Sequence, residues 1–492
     1  MRRLRMFYLL GIMLLFLAAM MVLAALWSIG EQEADRPAFL KAVAITAAAG
    51  ALLCILGYPS RHGQTTLAES FSLVTLAWLL AGFFGGLPFY FYEGFDGTLL
   101  DAFFEAVSGF TTTGATLIAP LESLPRGLLF WRALTQWLGG MGIIVLFLAV
   151  LPRFGFKGTA LYRAELPGPL AERFAPRLAE TARWLWLIYV AMTALLALLL
   201  ALCGLNFYDA LAHALTTMPT GGFSPYSASI AALENPAAEV VITLFMFLAG
   251  VNFTLYYRLL HGERGALKSE ELRFYIAVLA VAVALVAANI APLYGGDLML
   301  SLRRGAFQVV SIATSTGYAC ADFDAWPHFS RLLLFFLMFL GACGGSTSGG
   351  MKQVRLLLLL KYAWRELQRL LHPSSVAAVK LDGHAVSEET LRGVAGFTFF
   401  YMVFFVFTAL ALGWMKLDFT TAASAAGAAL GNTGPALGLV GPRFTYQAIP
   451  AAGRALLILM MIMGRLEIYT VLVLLTPESR RLFQNGRRGG GK

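Results

Sequence analysis

Four short polar turns hold the residues of this chain best suited to chemistry: TTTGA at 111–115, PTGGF at 219–223, TSTGY at 314–318 and GNTGP at 431–435. Each contains a Thr-Gly pair, and the glycines Gly114, Gly221, Gly317 and Gly434 recur roughly once per hundred residues. The chemistry such turns offer is coordination of a cation by the backbone. A dehydrated monovalent cation needs several oxygens at close range, and peptide carbonyls supply them without fixed negative charge that would bind too tightly for conduction. Glycine permits backbone conformations that aim a carbonyl into a narrow lumen. Four turns around one axis would line a path with Thr112, Thr113 and Gly114, with Pro219, Thr220 and Gly221, with Ser315, Thr316 and Gly317, and with Asn432, Thr433 and Gly434. Pro219 and Asn432 stand where the other two turns have a hydroxyl, so the set points to a monovalent cation before it points to any one ion.

The elements that must position these turns are membrane helices. The hydrophobic fraction is 59% and the mean hydropathy +0.72, far above a soluble domain, and many segments reach the roughly 20 apolar residues needed to span a bilayer. Two helices, near 6–27 and 39–56, come first as an accessory hairpin; the first is too long for a signal-peptide core and no clear cleavage site follows. Each turn then lies in one helix, short helix, turn, helix unit. The expected long helices are 67–90 and 128–151, 184–205 and 239–260, 272–292 and 331–360, and 391–415 and 451–476. The expected short helices are 99–110, 208–217, 301–313 and 420–430, too short to span and suited to re-entrance. The fold class expected is an all-α polytopic membrane protein, with a hairpin at 1–66 and pore units at 67–152, 153–270, 271–389 and 390–492.

Charge supports this layout. Most of the 37 lysines and arginines fall in the N-terminal tail, alternate loops and C-terminal tail, which the positive-inside rule places in the cytoplasm. All four turns then face outside, and a short helix ending at each turn points its partially negative end at an ion. The net charge of +9 is thus topological, not a sign of nucleic acid. Cys54, Cys203, Cys320 and Cys343 show neither metal spacing nor a disulfide framework.

Two further features break the apolar pattern. GACGGSTSGG at 341–350 carries Gly341, Gly344, Gly345, Ser346, Thr347, Ser348, Gly349 and Gly350. A helix interior is not stable there, since each glycine costs about 1 kcal/mol relative to alanine, and an unwound segment below the turns suits a gate. Lys352, just after it, reads first as an ordinary cytoplasmic-side charge, with a place facing the cavity as the alternative. Arg465 lies within the final apolar helix, where a charge is costly and faces the bundle interior; it would set a positive barrier in the path. Asp101, Glu105 and Asp209 read as helix N-terminal and mouth charges, and His213 as packing.

Together the strings SGFTTTGAT, WRALTQWLGGMGIIVL, LYRAELPGP, TTMPTGGFS, SIATSTGY, GSTSGGMKQVR, LHPSSVAAVKLDG, GNTGPALG and MGRLEIYTVL resemble the Trk/Ktr/HKT superfamily of potassium transporters, above all its bacterial TrkH-type membrane subunits. The resemblance implies four helix–pore-loop–helix repeats around a pseudo-fourfold pore, potassium uptake, and a homodimer in the bacterial inner membrane with both termini cytoplasmic. It implies a cytosolic TrkA-type ring that binds nucleotide and controls opening; no Rossmann-type motif is evident in this chain, and no bound cofactor is expected beyond potassium as substrate. It matches Gly114, Gly221, Gly317 and Gly434 to filter glycines, 341–350 to an intramembrane gating loop and Arg465 to a pore-lining arginine. A sodium-selective or poorly selective translocator on the same scaffold is the nearest competing reading. A membrane-embedded enzyme would want a cluster of acids or a His/Asp pair at one membrane face, which is not found, and a proton-coupled carrier an intramembrane acid relay, for which the candidates are few.

Overall fold

The computed structural model describes residues 2–31, 34–60, 67–142, 178–372 and 378–475. The expected helix end at 143–151, the LYRAELPGP string, most of the 152–183 loop, residues 373–377 of LHPSSVAAVKLDG and the basic tail lie outside these.

Helices α1 (Arg2–Glu31) and α2 (Arg36–Gly57) form the N-terminal hairpin. They approach closely because glycines face the partner backbone: a Cβ on Gly11 would lie 2.7 Å from the Cys54 nitrogen, and one on Gly50 3.0 Å from the Gly11 carbonyl. Small residues at a helix contact allow this in a bilayer, where no hydrophobic force drives helices together.

Four long apolar helices follow at intervals: α3 (Leu67–Tyr90), α6 (Leu178–Leu202), α10 (Glu270–Ile290) and α14 (Glu388–Trp414). With the hairpin they are the six helices, among the described residues, long and apolar enough to cross a membrane unbroken. Each is followed by a short helix: α4 (Leu99–Phe110), α7 (Phe207–Thr217), α11 (Leu298–Ala313) and α15 (Phe419–Gly431). All four short helices start on a side-chain cap, with Thr98, Asn206, Asp297 and Asp418 each accepting from the backbone N–H three residues on. This satisfies one of the orphan donors of the first turn. Each short helix packs against the long helix before it.

The last helix of the second, third and fourth units is broken. Helix α5 (Arg126–Gly140) ends at glycine. Helices α8 (Pro236–Ala249) and α9 (Phe253–Leu260) meet at 88°. Helices α12 (His328–Leu340) and α13 (Gln353–Leu371) are separated by the glycine-rich segment, and α16 (Ala451–Leu466) and α17 (Ile468–Leu475) by Glu467 at φ 63°. The continuous helices expected over 239–260 and 451–476 are therefore corrected. Gly250–Asn252 interrupts a run that is otherwise apolar, and Glu467 at positive φ breaks the last helix two residues after the charge at Arg465.

Between α13 and α14 a two-stranded antiparallel hairpin, β1 (Lys380–Leu381) and β2 (His384–Ala385), turns at Asp382 and Gly383, both at positive φ. The Asp382 carboxylate accepts from the Glu270 N–H at 2.7 Å, joining the hairpin to the start of α10.

Candidate functional site

The C-terminus of each short helix runs directly into its polar turn. In all four turns one non-glycine residue adopts the left-handed conformation: Thr112 (φ 54°), Thr220 (55°), Ser315 (56°) and Asn432 (53°). The next residue donates its N–H back into the short helix, Thr113 to Ser108, Gly221 to Thr216, Thr316 to Ser311 and Thr433 to Ala428, at 2.8 to 2.9 Å. A glycine at positive φ comes third: Gly114 (82°), Gly222 (73°), Gly317 (80°) and Gly434 (85°). L-residues with a Cβ avoid that region.

This fixes the register of the four strands and corrects one of them. In the second turn the equivalent of Gly114, Gly317 and Gly434 is Gly222, not Gly221. The second strand is Thr220-Gly221-Gly222, and Pro219 falls one place earlier, level with Thr111, Thr314 and Gly431. Matching on the Thr-Gly pair misaligned it, because there the residue between the left-handed position and the last glycine is itself a glycine.

The four third-position glycines close a circle. A Cβ on Gly114 would overlap the carbonyl oxygen of Gly221; on Gly222, that of Thr316; on Gly317, that of Thr433; on Gly434, that of Thr113. Each glycine thus lies against the middle carbonyl of the next strand, and the fourth returns to the first. Glycine is required twice at these positions, by φ and by approach. Gly114, Gly222 and Gly317 open on a cavity lined also by Ser224, Pro435 and Tyr446.

Buried side chains hold the strands from behind. Thr111 and Thr113 share a hydroxyl hydrogen bond of 2.7 Å, as do Thr314 and Thr316. Tyr446 donates to the Gly434 carbonyl (2.6 Å), and Ser311 and Gln308 donate to that of Tyr318. The Asn432 amide donates to the Thr113 hydroxyl (3.0 Å) and the Met461 carbonyl (2.9 Å), tying strand four to strand one. On α5, Arg132 pairs with Glu105 at 2.9 Å and donates to the Ser224 carbonyl at 3.1 Å, while Glu105 accepts from Thr116 and Leu117. Asp101 closes a capping box with Thr98 and pairs with Arg454. Asp209 accepts from Asn206 and Tyr226. His213 is fully buried between the Asp209 carbonyl and Ser224. These four residues brace the strands and their short helices.

Residues 341–350 lie immediately beneath. Gly341, Gly345 and Gly350 are at positive φ, and the segment is held at many points. Cys343 donates to the Gly250 carbonyl and Phe253 to that of Gly345, each at 3.0 Å, seating the loop in the break between α8 and α9. Gly344 donates to the Glu271 carboxylate at 2.6 Å. The Thr347 hydroxyl donates to the Met218 carbonyl at 3.0 Å. Gly349 donates to the Ser315 hydroxyl, and Ser348 shares a hydrogen bond with the same oxygen at 3.1 Å. A Cβ on Gly349 would overlap the Gly431 carbonyl, so the loop passes directly under strands three and four.

Arg465 reaches across from α16. Its guanidinium donates to the Thr347 carbonyl at 2.6 Å, and to those of Gly139 and Gly140 at 2.8 and 2.5 Å. Glu467 pairs with Arg355 at 2.5 Å. Lys352 is buried, hydrogen-bonds the Ser348 carbonyl and lines, with Arg465 and Ser346, the cavity below the strands. Of the two places open to Lys352, the structure has the cavity and not the cytoplasmic side: the loop folds back far enough to carry it inside. Gln136 and Glu271 act in this site without having been singled out for it, and Ser315, expected only as part of the ring, also holds the loop. Only the register of helix against turn, which no short motif carries, would have revealed them.

A bundle of membrane helices with four short helices aimed at one ring of backbone carbonyls, and an ordered loop beneath it, defines a polytopic ion-transport protein, not an enzyme. The chain belongs to the TrkH family: the family's sequence model, described as a cation transport protein, matches residues 35–484. It is 39% identical over 474 residues to the Trk system potassium uptake protein TrkH of Escherichia coli K12, covering 95% of this chain and 97% of that one. It is 34% identical over 414 residues to TrkG of the same organism, covering 84% and 85%. The fold is similar to the crystal structure of the potassium transporter TrkH from Vibrio parahaemolyticus, with a TM-score of 0.87 and 33% identity over 97% of this chain and 100% of that one.

Proposed function

We propose that this protein takes up potassium through the ring formed by strands 112–114, 220–222, 315–317 and 432–434. The observation that carries the proposal is the closed circle of glycines, each against the next strand's carbonyl. Such a ring can replace an ion's hydration shell with oxygens from four strands. The relatives' names supply potassium as the ion. The accessory hairpin at 1–66 precedes four pore units, 67–152, 153–270, 271–389 and 390–492, around one pseudo-fourfold axis, with both termini cytoplasmic.

The path is gated below the ring. Residues 341–350 obstruct it, and Arg465 adds positive charge while fastening the loop to the end of α5. Opening requires the loop to leave Ser315, Glu271 and Arg465. A cytosolic nucleotide-binding ring of TrkA type supplies that work, and the chain acts as a homodimer in the bacterial inner membrane.

The test is potassium uptake into proteoliposomes of the purified protein, with and without excess sodium, and with Gly317→Ser. Uptake that resists sodium and loses this resistance in the variant is the expected result. Equal potassium and sodium flux in the parent protein would overturn the potassium assignment, and unchanged selectivity in the variant would overturn the filter.

A further inference from the structure

The four carbonyls of the ring are not held alike, and the exception is Gln136. It stands on α5 eleven residues past the cap residue Pro125. Met246, Met338 and Met461 stand the same eleven residues past Asn235, Pro327 and Pro450 on α8, α12 and α16. The sequence around each agrees: TQWLGG, FMFLAG, LMFLGA and MMIMGR, with the glutamine or methionine second. All four side chains are fully or almost fully buried. A thioether has no proton to donate. Gln136 has two, and one of them is placed on the ring.

Its amide Nε2 donates to the Gly221 carbonyl at 2.7 Å, and its Oε1 accepts from the Phe223 N–H at 3.0 Å. Gln136 therefore brackets Gly222. The ring residue here is also the exception. Thr113, Thr316 and Thr433 occupy the middle position of the other strands, and a Cβ on Gly221 would lie 2.4 to 2.8 Å from the Gln136 amide atoms in whose place it would stand. Threonines in strands one and three are steadied by the hydroxyl two residues earlier; strand two has Pro219 there. Three positions thus change together: proline for threonine, glycine for threonine, and glutamine for methionine.

We infer that Gln136 is a specificity-determining residue of the ring. This rests on reading the four strands as the ion filter. Gly221-Gly222 is a pair of successive glycines, the least restrained backbone of the four strands. To prefer a larger cation, a ring must resist closing on a smaller one, and a strand free to rotate its peptides follows either ion. Gln136 fixes the peptide planes on both sides of Gly222 through two buried hydrogen bonds. It also polarises one carbonyl of the four, so the ring is chemically asymmetric.

The test replaces Gln136 with the residue of the other three units. Gln136→Met, nearly the same size, and Gln136→Met with Gly221→Thr are compared with the parent protein and with Gly317→Ser. The readout is the ratio of potassium to sodium uptake in proteoliposomes. With two buried hydrogen bonds lost, Gln136→Met is expected to lower the ratio about fivefold to tenfold while potassium uptake persists. The double variant, which gives strand two the threonine found in strand four, is expected to recover most of it. If Gln136→Met keeps the parent ratio while Gly317→Ser loses it, Gln136 only packs and the inference fails with the filter intact. If neither variant changes the ratio, the filter reading itself fails. Should Gln136→Met not reach the membrane folded, Gln136→Glu at pH 8 removes the same donor at the same size; a parent-like ratio in that variant overturns the inference equally.

Discussion

The hydroxyl of Ser315 accepts a hydrogen bond from the Gly349 N–H at 2.6 Å, so one atom of the third ring strand is shared with the loop beneath it. The same hydroxyl meets Ser348 at 3.1 Å, and all these atoms are buried. Ring and loop are joined by side-chain chemistry at this point.

Ser315→Ala should therefore loosen the loop without removing a ring carbonyl. It leaves the Gly349 N–H without that partner, a cost of about 1–3 kcal/mol borne by the closed state. Potassium leak in proteoliposomes lacking any cytosolic partner should rise about tenfold, as 1.4 kcal/mol implies, with potassium preference retained. A leak equal to that of the parent protein would show that the contact does not hold the gate.

Arg465 brings two separable things to the cavity below the ring, a positive charge and a set of bonds to Thr347, Gly139 and Gly140. Arg465→Lys keeps the charge, but its compact ammonium lacks the planar fork that reaches several carbonyls at once. Arg465→Gln removes the charge. If the bonds hold the loop, both variants should leak at least several-fold more than the parent in single-channel recordings. If charge alone forms the barrier, only Arg465→Gln will.

Glu271 holds the loop from the other side, accepting from Gly344 at 2.6 Å at the end of α10 to which Asp382 of the hairpin is bonded. Glu271→Gln keeps an acceptor oxygen; Glu271→Ala keeps none. Hydrogen bonds to charged groups contribute about 1.5–3 kcal/mol against about 1 for neutral ones. The leak should rank parent, then Gln, then Ala, and an inverted order would mean that the carboxylate is needed for opening.

Gly222 tests the register directly. Its φ of 73° and its approach to the Thr316 carbonyl are those of the other ring glycines. Gly222→Ser should reduce the potassium-to-sodium uptake ratio as strongly as Gly317→Ser does. A parent-like ratio would put the second strand back at Gly221.

Much of this was legible in the residues. The six unbroken membrane helices and the four short helices carry runs of apolar residues of telling length, and their ends fall within a few residues of expectation. The breaks in the inner helices were legible only where glycines cluster, at 341–350. The break at Glu467 rests on one left-handed residue, and that at Gly250–Asn252 on three residues inside an apolar run. Gln136 is not legible, and the place of Lys352 stays open between two alternatives, because burial and partners depend on how distant segments meet. The second strand was misread because Gly221 and Gly222 are chemically alike and differ only in φ.

Glu105 and Arg132 make the last prediction. They pair at 2.9 Å with almost no exposure, behind the first strand. Removing one partner of a buried pair strands the other charge, at a cost of about 3–5 kcal/mol. Glu105→Ala should lower the melting temperature in detergent markedly, because Thr116 and Leu117 also lose their acceptor. Replacing both charges, as Glu105→Leu with Arg132→Met, removes the stranded charge and should recover much of the loss. The Ser224 carbonyl still loses its guanidinium donor in the double variant, so selectivity should stay impaired even where stability returns. A double variant as unstable as Glu105→Ala would mean that the hydrogen bonds to Thr116 and Leu117, not the stranded charge, dominate the cost.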